Sequence, residues 1–173
     1  MRLFLAALPE DAVVQRVAAV QQAFRRAHVH GNYTPPENLH LTLAFIGDYH
    51  DPDAVLEAMA RVPFAPFTVT LDHIGCFGDL WWAGVQESRA LNALSQRLRR
   101  ALADAGIPFD KKSFRPHMTF LRNASGLREH MQPEPQLPPT RMPVEGVSLM
   151  LSTRGKNGML YTELGYASAD RDL

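Results

Sequence analysis

Two short stretches of this chain repeat one pattern, and that pattern limits the fold more than any other feature. His40-Leu41-Thr42-Leu43 and His117-Met118-Thr119-Phe120 each read histidine, apolar, threonine, apolar. Side chains of an extended strand alternate between faces, so His40 and Thr42 share one face while Leu41 and Leu43 take the other. The same holds for His117 and Thr119 against Met118 and Phe120. A strand that buries its apolar side then turns an imidazole and a hydroxyl, about 7 Å apart along the chain, toward whatever lies opposite. Two such strands can bring a pair of imidazoles to one site, the raw material for a general acid and a general base.

The segments around the tetrads read as alternating strands and helices. Residues 2–7 are a short apolar run that predicts a buried strand, and Pro9-Glu10-Asp11 opens a helix to about Ala27 with Val13, Val17, Val20 and Phe24 at helical spacing. His28 and His30 follow it; their spacing suits a metal, but no third ligand accompanies them, and they read as a polar helix end. Pro35 and Pro36 keep the chain extended into the first tetrad. Asp51-Pro52-Asp53 starts a second helix with Val55, Leu56 and Met59 inward. Residues 67–77 alternate as a half-buried strand, and Gly78-Asp79 predicts a hairpin turn into a partner at 80–85. Over 88–105, Leu91, Leu94, Leu98 and Leu102 define a third helix that Gly106 and Pro108 end, with Arg97, Arg99 and Arg100 as a solvated face or, alternatively, as guides for an RNA. Residues 123–141 are rich in proline and read as a surface loop. Met142–Ser152 and Leu160–Ala167 predict a last hairpin around Arg154-Gly155-Lys156-Asn157-Gly158. The order β, α, β, α, β, β, α, β, β, β implies an α+β architecture with antiparallel sheets.

Composition narrows the partners. Eighteen Lys and Arg balance eighteen Asp and Glu over 173 residues, whereas a protein that tracks a duplex neutralises many phosphates with a basic surface. A small substrate, or one end of an RNA, fits better. The single cysteine, Cys76, excludes an intrachain disulfide framework and a cysteine-based zinc site, and it sets a reducing, cytoplasmic expectation. Its apolar surroundings predict a small buried hydrophobe. No apolar run approaches the roughly 18 residues of a membrane span, no signal-peptide pattern opens the chain, and neither a P-loop nor a dinucleotide fingerprint is present.

With their flanks, PENLHLTLAFIG and SFRPHMTFLR, and with MRLFLAALP, FGDLWWAGV and LMLSTRGKNGMLYTEL, the tetrads resemble the 2H phosphoesterase superfamily. The detail is similar to its bacterial and archaeal RNA 2',3'-cyclic phosphodiesterase branch, also called 2'-5' RNA ligase-like. The resemblance covers most of the chain. It implies one bilobal domain over residues 1–173, with two similar α+β lobes about a pseudo-twofold axis and one tetrad strand from each facing a central cleft. It also implies hydrolysis of RNA or nucleoside 2',3'-cyclic phosphate ends to a 2'-phosphomonoester; the residues themselves, without a metal-spaced ligand set or cofactor motif, set the expectation of no cofactor and no metal, and a cytoplasmic monomer is expected. The same reaction run in reverse joins a 2',3'-cyclic end to a 5'-hydroxyl as a 2'-5' linkage. Under the resemblance His40 is the proton donor to the 3' oxygen and His117 the acceptor from water; the residues alone leave these roles interchangeable.

Residue types support that chemistry. An imidazole titrates near pH 6.5, so one of a pair can be neutral while the other is protonated, and the Thr42 and Thr119 hydroxyls can donate to non-bridging phosphate oxygens. Arg122 binds phosphate under the resemblance, but it stands three residues beyond Thr119 and so on the wrong face of an ideal strand unless a bulge turns it. Arg115 competes for that role, sharing parity with His117. Phe45, three beyond Thr42, is either core or a wall of the base pocket. A non-catalytic RNA-end or nucleotide-binding module using the same cleft is the other functional class these residues allow.

Overall fold

The apolar run at the start of the chain becomes the centre of a sheet. In the computed structural model, which describes residues 1–126 and 137–173, β1 (Arg2–Ala7) is buried from Leu3 to Ala7 because it is covered on both faces and paired on both edges. Its antiparallel neighbours are β3 (Leu41–Asp48) and β8 (Gly146–Gly155), and β9 (Gly158–Ser168) completes this first sheet beside β8. The second sheet, also antiparallel, runs in the order β2 (His30–Tyr33), β6 (His117–Ser125), β5 (Leu80–Val85), β4 (Phe67–Phe77), β7 (Thr140–Val144). Each tetrad therefore lies in a different sheet.

The helices cross between the two lobes. α1 (Asp11–Arg26) follows β1 of the first sheet yet packs on β6 and β7 of the second, while α3 (Arg89–Asp104) follows β5 of the second and packs on β3 of the first, beside α2 (Pro52–Ala60). Amphipathic spacing produces these helices and caps begin two of them: the Ser88 hydroxyl accepts from the Leu91 amide at 3.2 Å and the Asp51 carboxylate from the Ala54 amide at 3.1 Å. Val13, Val17, Val20 and Phe24 of α1 and Leu91, Leu94, Leu98 and Leu102 of α3 meet the apolar faces of both sheets in one continuous core.

The described residues hold nine strands where the sequence reading has seven. β2 occupies the place assigned to a polar helix end; its residues His30 to Tyr33 have no apolar alternation, and the edge of β6 makes them a strand by offering unpaired backbone groups. The run beginning at Met142 divides at Glu145, because β7 pairs with β4 in one sheet and β8 with β1 in the other. In α2, Ala58 rather than Leu56 takes the fully buried place, and Leu56 lies over Gly165 of β9. Cys76 is exposed instead of buried, since the far end of β4 runs past the core. Of the expected proline-rich loop, 127–136 lie outside the described residues.

Candidate active site

Both tetrad histidines are held by the backbone just before them. His40 donates from Nδ1 to the Asn38 carbonyl at 2.7 Å, and His117 donates from Nδ1 to the Arg115 carbonyl at 2.6 Å. A carbonyl only accepts, so each Nδ1 carries the proton and each Nε2 is left for chemistry. The partner is two residues upstream in both cases, at the end of a short 3-10 turn for Asn38 and just before Pro116 for Arg115. Asn38 is itself fixed, its buried side-chain amide donating to the Met159 carbonyl at 2.8 Å across 121 positions of sequence. The Thr42 hydroxyl lies 3.0 Å from His40 Nε2 and donates to it when the ring is neutral.

Beyond each threonine the strands leave regular alternation in the same way. Leu43 and Ala44 are both buried, as are Phe120 and Leu121, although one of each pair should point outward. Both are β-bulges. Against β1, Thr42 pairs with Ala6 but Ala44 with Leu5; against β5, Thr119 pairs with Trp82 but Leu121 with Trp81. One extra residue changes the face of everything after it. Arg122 is thereby brought to the side of His117 and Thr119, the turn that its spacing requires. Phe45 comes opposite Phe4, whose ring is 4.9 Å from His40.

The helices satisfy the carbonyls that the bulges set apart. Gln21, the buried polar residue of α1, donates from Nε2 to the Phe120 carbonyl at 3.0 Å and to the Thr34 carbonyl at 2.9 Å. Ser95, the buried polar residue of α3, donates to the Leu43 carbonyl at 2.7 Å. Helical periodicity alone marks both positions as misplaced polar residues, and only the bulges explain them.

A cleft of about 720 Å³ takes His40 from the first tetrad and Thr119 from the second, with Asn38, Arg122, Tyr161 and the β8–β9 turn, which brings Arg154 and Lys156; Thr42 is outside its lining, and His117 lines a second pocket. Among the described residues no carboxylate pairs with these three cations, so a chain without net charge has a basic cleft. Burial holds the His40 imidazole below the usual histidine value; its bond to the Asn38 carbonyl acts the other way, and the charges of Arg122 and His117 add to the lowering. Tyr161 meets the His40 ring edge-on at 5.3 Å. Arg115 points away from this cleft into a second pocket beyond His117. Phe45 lies outside the cleft lining, with the Arg2 guanidinium 5.1 Å from its ring centroid. Asn38, Arg154, Lys156 and Tyr161 were not singled out by sequence. The signals were the position two before His40 and the basic turn Arg154-Gly155-Lys156.

A family model described as the 2'-5' RNA ligase superfamily matches residues 9–156. The chain belongs to that superfamily. An RNA 2',3'-cyclic phosphodiesterase of Thermus thermophilus is 32% identical over 186 aligned positions, covering 95% of this chain and 88% of that protein. One from Geobacillus stearothermophilus is 37% identical over 107 residues, covering 57% of this chain but only 34% of that longer protein. Among solved structures, Escherichia coli LigT in apo form superposes with a TM-score of 0.82 at 28% identity over 97% of this chain and 96% of LigT, and LigT complexed with 3'-AMP with 0.81. The two-lobed α+β architecture of this superfamily member is thus the LigT fold. Among the described residues no helix is long and apolar enough to cross a membrane.

Proposed function

We propose that this protein hydrolyses the 2',3'-cyclic phosphate end of an RNA, or of a nucleoside, to a 2'-phosphomonoester, with His40 and His117 as general acid and base. The observation that carries this reading is the matched pair of Nδ1–carbonyl bonds, which fixes both imidazoles in one tautomer with Nε2 turned away from the backbone. Superfamily membership and the names of the relatives support the substrate class.

His117 Nε2 takes a proton from water as its oxygen bonds to phosphorus; the P–O3' bond breaks, and His40 Nε2 gives its proton to O3'. The phosphate stays on O2'. Thr119 and Arg122 donate to the non-bridging oxygens, and the Thr42 hydroxyl turns between His40 and the phosphate. Burial disfavours the His40 imidazolium and a bound phosphate favours it, so the substrate promotes the protonation of its own acid. We place the enzyme in the cytoplasm as a monomer; an exposed, unpaired Cys76 suits a reducing compartment.

The test is kcat on a nucleoside 2',3'-cyclic phosphate in EDTA across pH 5 to 9 for the wild type, both single histidine-to-alanine variants and the double, with circular dichroism as a check on folding. A bell-shaped profile is expected, whose two limbs belong to the pair. Each single variant should lose on the order of 10² to 10⁴ in kcat, and the double little more, because the two act as one unit. Losses that multiply in the double, near-normal kcat in one single variant, or an exclusively 3'-phosphate product would sink the mechanism.

A further inference from the structure

The segment Phe77-Gly78-Asp79-Leu80-Trp81-Trp82 takes no part in the hydrolysis above, yet it builds a surface that continues the site. Trp81 turns into the core, 5.2 Å from Phe24. Trp82 faces the other way: in the sheet it pairs with Thr119 on one side and Gly75 on the other, while Gly84 pairs with His117 and His73. Directly paired residues share a face, so Trp82 and His73 lie on the face that carries His117 and Thr119. Glycines make the room. A Cβ at Gly75 would run into the Trp82 indole and one at Gly84 into the His73 ring. Asp72 accepts from His73 Nδ1 at 2.6 Å and orients that ring.

The outcome is a row of aromatic rings leading away from His117. Phe77 is 5.4 Å from the His117 ring and 5.1 Å from Trp82, and it is 44% exposed. A pocket of about 310 Å³ follows this row, and His117 stands at its edge. Its charge differs from that of the main cleft. The cleft has Arg122, Arg154 and Lys156, whereas here Arg115 is offset by Glu87. The cleft suits a strand bearing phosphates, and the pocket suits an uncharged nucleoside on an aromatic platform.

Resting on the proposed hydrolase reading, we infer that this pocket is the subsite for a second nucleoside, the one whose 5'-hydroxyl replaces water at phosphorus. Nucleophile and leaving group lie roughly in line across a phosphoryl centre. The group that His117 serves is therefore on the far side of the phosphate from His40, where Phe77 and Trp82 stand. In the forward step O5' bonds to phosphorus as His117 Nε2 takes its proton, P–O3' breaks, and O3' receives the proton of His40, leaving a 2'-5' phosphodiester. In reverse, O3' attacks phosphorus as His40 Nε2 takes its proton, P–O5' breaks, and His117 protonates O5'. The base of the 5'-hydroxyl nucleoside stacks on Phe77.

The experiment compares kcat/KM for two probes, a 2'-5'-linked diadenosine monophosphate and adenosine 2',3'-cyclic phosphate, in the wild type and in Phe77→Ala, Phe77→Leu and Phe77→Tyr. Losing one aromatic face should cost the dinucleotide about tenfold more than the cyclic phosphate in Phe77→Ala. Phe77→Leu, which keeps apolar bulk, should share that selective loss, and Phe77→Tyr should restore the wild-type ratio. Equal losses on both probes, or full rescue by leucine, would mean that Phe77 merely packs His117, and the subsite is overturned. It is also overturned if the wild type opens the cyclic phosphate but leaves the dinucleotide intact. Failure to open the cyclic phosphate at all strikes the hydrolase reading itself.

Discussion

Arg122 shows how much one residue's role depends on its neighbours' backbone. It reaches the cleft only through the Phe120-Leu121 bulge, and it is close enough to oppose protonation of His40. Its planar fork can hold two phosphate oxygens, where lysine offers a point charge. Arg122→Lys should lower kcat/KM on a cyclic phosphate by about tenfold, the equivalent of roughly 1.4 kcal/mol, with unchanged circular dichroism; a smaller loss than that of Arg115→Lys would assign the role to the wrong arginine. His40 gives a second test at this scale. Its folded value is depressed, so between that value and the unfolded one, near 6.5, the unfolded chain binds more protons. The stability it contributes is present above the unfolded value and lost as pH falls through the folded one. Phosphate raises the folded value, and by reciprocity binds more tightly as pH falls. NMR titration of the imidazoles should give His40 a midpoint below the ordinary histidine value that rises on adding inorganic phosphate; a midpoint that ignores phosphate would remove His40 from the binding site.

At the scale of elements, the two bulges are the devices that turn ordinary strands into halves of a site. Each depends on a polar side chain from a helix that belongs, by sequence, to the other lobe. Ser95→Ala removes the side-chain donor to the buried Leu43 carbonyl, a loss of about 1–3 kcal/mol readable as a lower urea midpoint at constant m. Gln21→Leu removes donors to both Phe120 and Thr34, although the Thr34 amide still donates to Phe120 at 3.0 Å. It should therefore impair cyclic phosphate turnover through Arg122 as well as stability. Stability and turnover both at wild-type values in the two variants would show that the bulges hold without these donors.

For the whole molecule, crossing the helices makes each sheet depend on chain from the other lobe. α3 covers the sheet that contains β3, while Trp81 and Trp82 report on the sheet that contains β5. We expect residues 1–173 to unfold as one unit. Leu94→Ala, at a fully buried position of α3, should cost about 2–5 kcal/mol and shift the tryptophan fluorescence and circular dichroism transitions together. A fluorescence transition that stays at its wild-type midpoint while the dichroism moves would show two independent lobes.

The sequence by itself determined the helices, six of the seven expected strand segments, most of the apolar faces and the repeat of the His-x-Thr pattern, because periodicities of 3.6 and 2 and the punctuation by glycine and proline are local properties of the chain. It also showed that Arg122 needed a bulge. Tertiary structure decided what local pattern cannot encode. Whether His30 to Tyr33 becomes a strand depends on the free edge of β6, and whether the chain breaks at Glu145 depends on which sheet each half joins. Gln21 and Ser95 look misplaced on their helices until the carbonyls they satisfy arrive from residues 99 and 52 positions away. Arg154, Lys156 and Tyr161 enter the cleft for the same reason, since a hairpin's tip finds its neighbours only after two sheets have packed around one core.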